Sequence, residues 1–229
     1  MFPLRDTIRP QTKPIVNTSL IVINVLVFFY QYSLGPHFEQ FIYQFGLTPV
    51  RFFWGLNHHH LADAVIPVFT SMFLHGGWLH LIGNMWFLYI FGDNVEDRVG
   101  HVPYIFFYLL CGIGSALTQT FFEKSSQLPM VGASGAIAGI LGAYFMLYPH
   151  SRILTLVPIF IFIQILEVPA VVFLFFWFIW QFIQGSITAA SSAAQGGVAW
   201  WAHIGGFLVG LALIFVFRRP EKPATDYWR

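Results

Sequence analysis

The sequence is poor in charged residues and holds a single cysteine. Aspartate, glutamate, lysine and arginine make up 9% of the 229 residues, whereas 57% are hydrophobic and 27 are phenylalanine. So few charges cannot cover the surface of a soluble domain of this size, and a net charge of +1 provides no basic field for nucleic acid. The composition therefore predicts an integral membrane protein. Its expected partner is the lipid bilayer, and it is not expected to bind nucleic acid.

The scarcity of cysteine also limits the metal chemistry. Cys111 lies inside an apolar run, so the chain has no disulfide framework and no metal–thiolate site. The histidine run His58–His60 is the other candidate for a metal site. Three consecutive residues of a regular structure cannot all face one ion, which favours a solvated loop over a metal site.

Six apolar runs are long enough to be considered as membrane spans, given the roughly 30 Å hydrocarbon core. They are Thr18–Leu34, His75–Phe91, Val102–Phe122, Ser134–Tyr148, Val168–Gly185 and Trp200–Phe217. The segment Ile153–Leu166 is apolar but broken by Pro158 and rich in β-branched residues, so we interpret it as a membrane-dipping or surface loop. The connection Gly35–Thr70 is expected to pack at the membrane interface. The predicted fold is an all-α bundle of six transmembrane helices in one domain, residues 1–229.

The basic residues are distributed unequally between the two predicted sides of the membrane. With both termini inside, the inner segments carry Arg5, Arg9, Lys13, Arg98, Arg152, Arg218, Arg219, Lys222 and Arg229. The outer segments carry only Arg51 and Lys124. This distribution follows the positive-inside rule. It predicts cytoplasmic tails at 1–15 and 218–229, and a cytoplasmic turn GDNVEDRVG in which Glu96 and Arg98 form a local ion pair or cap.

Polar side chains inside the second span are few and therefore informative. His80 and Asn84 in HGGWLHLIGN are four residues apart, so they share one face of a helix. His75 lies nearer the membrane surface and is expected to help shape the same site. Gly83, beside Asn84, is expected to let another backbone come close.

The fourth and sixth spans begin with a hydroxyl and an imidazole. Ser134 lies between Gly132 and Gly135 in VGASGAIAG, and His203 lies in AHIGG. Small residues recur every four positions in both spans, at Gly135, Gly139 and Ala143 and at Gly206 and Gly210. Such seams allow close helix contact, which could bring Ser134 and His203 together.

These residue types suit acyl-transfer chemistry. A serine hydroxyl needs a base to take its proton, and a neutral histidine can do so. His80, Asn84 and the N–H groups at the start of the fourth helix could stabilise an oxyanion. The fourth span is short, so Ser134 is expected below the outer surface, in a wet cavity bordered by Glu123–Met130. The three spans hold no acid, which predicts a Ser–His dyad.

Each of these residues also has a structural interpretation. Ser134 could simply begin a helix, His203 could bond a carbonyl across helices, and His80 with Asn84 could join two helices. Gln164, Gln181 and Gln184 are interpreted as hydrogen-bonding residues of loops or of the membrane interface. A transporter or channel with His80, Asn84 and His203 along a polar pathway is the alternative function.

Three motifs carry a family resemblance: HGGWLHLIGNMWFL, GASGAIAG and AHIGGFLVG. In this order on six spans they resemble the rhomboid family of intramembrane serine proteases, across nearly all of the chain. FGDNVEDRVG is similar to the turn after the second helix of that family. The resemblance implies that Ser134 is the nucleophile and His203 the general base, and that His80, Asn84 and the N–H of Ser134 stabilise the oxyanion.

The resemblance implies further roles. Gly132 would let its loop approach the scissile carbonyl, the first loop would be embedded in the membrane, and the fifth span would flank a lateral route for substrate. Some relatives have an aromatic residue where this chain has Ala138, so we expect Trp200 or Trp201 to hold His203 instead.

The implied activity is cleavage of single-span membrane proteins near the outer end of their transmembrane helix. Small and helix-breaking residues are expected around the cut, and no metal or organic cofactor is expected. The implied location is a prokaryotic cell (inner) membrane. A non-catalytic relative that binds transmembrane helices is a further alternative.

Overall fold

The computed structural model describes residues 1–159, 162–190 and 199–220. Its helices are α1 (Ile15–Ser33), α2 (Phe38–Phe45), α3 (Pro49–Asn57), α4 (Leu61–Thr70), α5 (Trp78–Val99), α6 (His101–Phe122), α7 (Ser134–Leu147), α8 (Ala170–Ala190) and α9 (Trp200–Phe217), with 3₁₀ turns at Gly35–His37 and Ser71–Phe73. Its strands are β1 (Phe2–Asp6), β2 (Arg152–Ile159) and β3 (Phe162–Pro169). Each predicted span overlaps one helix. The predicted tail 218–229 lies outside the described residues from position 221 onward.

Several of these helices can cross a membrane. Within the described ranges, α1, α6, α9 and the Ala170–Ile187 part of α8 are each long and apolar enough. The pair Leu61–Phe73 and Trp78–Val99, bent by 78°, qualifies together as a fifth span. α7 has 14 residues and is therefore about 21 Å long, shorter than the roughly 30 Å hydrocarbon core. The multi-pass class is confirmed, and the count of six spans stays a prediction.

α7 is the central helix of the bundle. Every residue from Gly135 to Tyr144 is buried, because glycine and alanine leave its neighbours room on all sides. A Cβ atom added to Gly206 would lie 2.0 Å from the carbonyl oxygen of Gly135, and one added to Gly210 would lie 1.9 Å from that of Gly139. The backbones of α7 and α9 are therefore in direct contact, as the glycine seams predict.

The close approach expected at Gly83 is wrong. A Cβ atom on Gly83 would meet nothing within 4 Å, because Gly83 lines a cavity. The tight contact on α5 lies at Gly92 instead, where a Cβ atom would meet Oδ1 of Asn17 on α1 at 2.1 Å.

The segment GDNVEDRVG is helical, so the turn predicted there is wrong. α5 continues through it, and the chain turns at Gly100, whose φ is 91°. The fully buried Glu96 is the reason: its carboxylate accepts hydrogen bonds from the N–H groups of Val16 (3.0 Å) and Asn17 (2.7 Å). Glu96 thus caps the first turn of α1 across the bundle, and the same carboxylate also contacts Nδ1 of His101, five residues along the chain. The first-turn N–H groups of α1 gain the partners that Pro14 cannot supply.

The described residues of the segment Ile153–Leu166 lie in two paired strands, β2 and β3, so the interpretation of this segment as a loop is wrong. β2 pairs antiparallel with β3 and, on its other edge, with β1 from the predicted N-terminal tail. β-Branched residues favour a pleated strand. One of the two partners of β2, the strand β1, lies about 150 residues away along the chain, with Phe2 opposite Leu156.

Side chains of the bundle hold β1 in place. The indole N–H of Trp86 donates to the carbonyl oxygen of Pro3 at 2.7 Å. The carboxylate of Asp6 accepts from the hydroxyl of Tyr144 (2.6 Å) and from the side-chain amide of Asn94 (2.8 Å). Burial raises the pKa of Asp6 to about 6. The N-terminal strand is therefore tied to the C-terminal half of α7.

Candidate active site

Ser134 and His203 meet at one end of the α7–α9 seam. Ser134 is the first residue of α7 and His203 the fourth residue of α9. The distance from Oγ of Ser134 to Nε2 of His203 is 2.8 Å, which is a hydrogen bond. Because the two backbones touch along the seam, the two helix starts are held at this separation. The structure thus brings together the hydroxyl and the imidazole that the sequence singles out.

The second nitrogen of the His203 ring is also occupied. Nδ1 lies 2.7 Å from Oε1 of Gln181, a residue of α8 that is 6% exposed. The interpretation of Gln181 as a loop or interfacial residue is therefore wrong. An amide inside an otherwise apolar helix was the available signal, and it is the same signal that identifies His80 and Asn84.

Of the two tryptophans expected beside His203, Trp200 contacts its ring and Trp201 does not. Trp201 stacks on Phe122 at a centroid distance of 4.3 Å, so it does not hold the imidazole. Trp200 meets the His203 ring edge-on at 6.2 Å, and Trp177 of α8 lies against it at 6.0 Å with a tilt of 36°. α8 therefore supplies both an aromatic face and a hydrogen-bond acceptor to this histidine.

His80 presents a donor beside the nucleophile. The N–H of Gly76 donates to Nδ1 of His80 at 3.4 Å, which assigns the ring proton to Nε2. A Cβ atom on Gly132 would lie 2.7 Å from that Nε2 and 3.5 Å from Oγ of Ser134. Gly132 also has a φ of 129°, which L side chains rarely adopt. Only glycine fits this position between His80 and Ser134.

Asn84 supplies a second donor with nothing to bond. Its Nδ2 is buried and has no hydrogen-bond partner within the described part of the chain. An unpaired buried donor costs about 1–3 kcal/mol, so its retention requires an explanation. Asn84 lines the same cavity as Ser134 and His203. An oxyanion formed there would accept this bond, together with bonds from the unpaired N–H groups at the start of α7.

Two other predicted site residues lie behind this group. His75 is fully buried, and neither ring nitrogen has a hydrogen-bond partner among the described residues. Its ring centroid lies 5.2 Å from that of His80, and its backbone is clamped by the side-chain amide of Gln31. Gly135 leaves room for Ser115, whose Oγ would lie 1.9 Å from an added Cβ atom. Both shape the wall around the site without touching the dyad hydrogen bond.

The site opens into a cavity of about 1390 Å³. Residues from Glu123 to Met130, apart from Lys124, line its mouth, as the sequence predicts. Its wall continues to Leu79 and Phe87 on α5 and to Trp177 on α8. A polar entrance thus leads to an apolar surface that can accept an extended apolar peptide.

The histidine run forms no metal site in the described structure. No group of three His, Cys, Asp or Glu side chains close enough to hold a metal ion occurs in residues 1–159, 162–190 and 199–220. The rings of His58 and His60 each stack on Trp54, at 4.8 and 5.0 Å. This arrangement directs the two imidazoles at an indole rather than at a shared ion.

Replacing Asn84 with alanine is expected to lower kcat for the peptide cleavage that the family resemblance implies by about 10²-fold, because one of several oxyanion donors is lost. KM is expected to change little, since the donor acts mainly on the charge of the transition state. Steady-state kinetics on a single-span test substrate measure both parameters. Asn84→Asp, which exchanges the donor for an acceptor of the same size, is expected to be at least as inactive. An Asn84→Ala enzyme with unchanged kcat contradicts the oxyanion role.

Comparisons with known proteins bear on the same region. The family model of the Rhomboid domain matches residues 62–220, which include the whole site. RHOMBOID-like protein 6, mitochondrial, of Arabidopsis thaliana is 35% identical over 164 residues, covering 70% of this chain and 46% of that protein. Rhomboid-like protein 11, chloroplastic, of the same plant is 28% identical over 234 residues, covering 97% of this chain and 72% of that protein.

A yeast protein shows a shorter match. Rhomboid protein 1, mitochondrial, of Saccharomyces cerevisiae is 33% identical over 96 residues, which cover 40% of this chain and 28% of that protein. This chain therefore spans less than half the length of the Arabidopsis mitochondrial relative and of the yeast relative.

Proposed function

This chain belongs to the rhomboid family, of which intramembrane proteases are typical members, and we propose that it is a serine endopeptidase that cleaves transmembrane segments. The observation that carries the proposal is the 2.8 Å hydrogen bond between Ser134 Oγ and His203 Nε2. It lies in a cavity that Asn84 also lines, and the buried Nδ2 of Asn84 has no hydrogen-bond partner among the described residues. A hydroxyl, a base and an oxyanion donor in one cavity suit acyl transfer better than solute transport.

The acylation step uses each of these groups once. Nε2 of His203 takes the Ser134 proton while Oγ attacks the scissile carbonyl carbon. The carbonyl oxygen becomes an oxyanion, which accepts hydrogen bonds from Asn84 Nδ2, His80 Nε2–H and the backbone N–H of Ser134. The imidazolium then gives its proton to the amide nitrogen. The C–N bond breaks, the amine leaves, and the acyl group stays on Ser134 as an ester.

Deacylation reverses the roles. A water molecule reaches the ester through the polar mouth of the cavity, and His203 takes one of its protons as the water attacks. The same donors hold the second oxyanion. His203 then returns the proton to Oγ of Ser134 as the C–O bond breaks, and the new carboxylate leaves. No described residue places a carboxylate on His203, so we propose a dyad that needs no metal or organic cofactor.

The proposed substrates are single-span membrane proteins. α7 is shorter than the hydrocarbon core, which sets Ser134 below the outer surface if its other end lies at the inner boundary. A substrate that reaches this depth lies in the membrane itself. Its helix must open before a carbonyl can be attacked, because an intact helix keeps each carbonyl bonded. Small and helix-breaking residues near the outer end of the substrate helix are therefore expected at the cut.

Residues 1–229 are proposed to form one transmembrane domain with both ends facing the cytoplasm, following the distribution of basic residues. Location in a prokaryotic inner membrane remains the sequence-based proposal. It gains no support from the relatives above, whose names place them in mitochondria or chloroplasts.

A fluorophosphonate probe tests the nucleophile directly. We expect covalent labelling of the purified protein at Ser134, mapped by mass spectrometry, and loss of labelling in Ser134→Ala and His203→Ala. Ser186→Ala is the matched control, because its hydroxyl only bonds the Phe182 carbonyl within α8, and it is expected to label normally. Absence of labelling together with solute flux in vesicles supports a transporter. Absence of both, with retention of transmembrane peptides, supports a non-catalytic binder.

A further inference from the structure

We propose that Gln181 is a positioning residue for the base: its amide oxygen holds His203 in the orientation and tautomer that proton transfer from Ser134 requires. This inference rests on the proposed function. In this proposal a residue of α8 supports the Ser134–His203 dyad. The helix α8 then has a part in catalysis as well as forming a wall of the cavity.

The two hydrogen bonds of the His203 ring define the tautomer. Nε2 must carry a lone pair to accept the Ser134 proton, so the single proton of the neutral ring must sit on Nδ1. Nδ1 lies 2.7 Å from Oε1 of Gln181, and an amide oxygen can only accept. With the amide oxygen facing the ring, the opposite tautomer would place two lone pairs against each other at Nδ1 and leave the base protonated toward Ser134. Gln181 therefore selects the productive form.

The same contact stabilises the transition state. When His203 takes the serine proton, positive charge develops on a ring that is 8% exposed. Its Nδ1–H then donates to the amide oxygen as a charge-assisted hydrogen bond, which is stronger than the neutral bond before the transfer. Since the gain appears as charge develops, it lowers the barrier rather than only binding the ground state.

Among the described residues, Gln181 is the one hydrogen-bond partner of Nδ1. The rings beside His203 are the indoles of Trp177 and Trp200, and an indole N–H is a donor only. The start of α9 is held separately, because Oε1 of Gln119 on α6 accepts the N–H of Ala202 at 3.1 Å. Among the described residues, the backbone of the base is thus fixed from α6, whereas the orientation of its ring is fixed from α8.

Three substitutions of Gln181 distinguish the effect of side-chain length from the effect of a hydrogen-bond acceptor. Gln181→Leu removes the acceptor, and we expect kcat to fall by about 10–100-fold with little change in KM, the range found when the hydrogen-bond partner of a metal-binding histidine is lost. Gln181→Asn keeps the amide but is one methylene shorter, so it is expected to lose as much. Gln181→Glu restores an oxygen at full reach, and we expect it to recover kcat at least tenfold over Gln181→Leu.

The pH dependence of kcat/KM distinguishes a positioning role of Gln181 from a purely structural role, because a structural role would leave this profile unchanged. A carboxylate favours the charged imidazolium, so the acid limb of the kcat/KM profile is expected to move to higher pH in Gln181→Glu. Removal of the acceptor disfavours the imidazolium, so the limb is expected to move to lower pH in Gln181→Leu. Ile183→Ala, a change on the exposed side of α8, is expected to keep the wild-type kcat and profile.

The tautomer itself can be measured without any proteolysis. In the Ser134→Ala background, ¹⁵N spectra of labelled histidine, assigned by difference with His203→Ala, are expected to show His203 protonated at Nδ1. The signal is expected to change to a mixture of tautomers in Gln181→Leu. A wild-type enzyme that neither labels nor cleaves overturns the proposed function, whereas the spectrum still decides the role of Gln181. An unchanged spectrum in Gln181→Leu, or a kcat within twofold of wild type, overturns the inference.

Discussion

Replacing Ser134 with alanine is expected to abolish cleavage of a single-span substrate by the purified protein in detergent. Oγ of Ser134 is the group that forms the ester, so its loss removes the covalent route and leaves only binding and oxyanion stabilisation. Loss of the nucleophile from a serine protease costs about 10⁶-fold in kcat. Gel or mass-spectrometric detection of the two fragments measures the effect, since a reduction of this size leaves no visible product.

The same variant is expected to fold normally. Ser134 is half-buried, and its side-chain contact with His203 is one hydrogen bond, worth about 1 kcal/mol to stability. Thermal unfolding should therefore change by only a few degrees, and Ser186→Ala provides the control for activity. Cleavage at an appreciable fraction of the wild-type rate in a folded Ser134→Ala protein contradicts the proposed mechanism.

Gly206→Ala is expected to lower cleavage by about 10³-fold or more, although residue 206 touches no substrate. The new Cβ atom would lie 2.0 Å from the Gly135 carbonyl oxygen, whereas ordinary contacts begin at 3.4 Å. The helices α7 and α9 must therefore separate by about 1.4 Å near the dyad. A shift of that size breaks the 2.8 Å Ser134–His203 hydrogen bond, and a 1 Å misplacement alone can cost about 10²-fold.

The measurements for Gly206→Ala are the rate of fluorophosphonate labelling and the melting temperature. Labelling should be lost even at temperatures where the protein is still folded, because the Ser134–His203 distance changes while the helix bundle remains intact. Ala212→Val adds volume to the exposed face of the same helix and is expected to label at the wild-type rate. Equal labelling of Gly206→Ala and wild type at a matched folded fraction contradicts the claim that the seam sets the dyad distance.

Hydrophobic patterning predicted the helices of the bundle well, and the charged segments less well. Long apolar runs have no stable place outside a membrane or a core, so the six runs located their helices within a few residues at most ends. The turn predicted at GDNVEDRVG was wrong because α5 continues through this segment to Val99, with Glu96 buried against the N-terminus of α1. The strands β2 and β3 were missed because Pro158 was interpreted as a break, whereas it lies inside β2 opposite Ile163 of β3.

The site residues could be predicted from the sequence because polar side chains are rare in the membrane spans. Ser134, His203, His80 and Asn84 each stand out against apolar neighbours, and each burial of a polar group in lipid calls for a function. Gln181 stands out equally, but nothing local to it indicates a histidine 22 positions further along. Only the packing of α8 against α9 shows that its amide oxygen reaches Nδ1 of His203.

The sequence by itself determined that this protein lies in a membrane, where its main helices lie along the chain and which polar groups those helices carry. Each of these properties depends on local composition. The tertiary structure alone decided which polar groups share one cavity and at what distance. That depends on how closely two helices can approach, which is set by backbone contacts at Gly135–Gly206 and Gly139–Gly210. A hydrogen bond forms or fails over about an ångström, and only folded coordinates specify a separation that small.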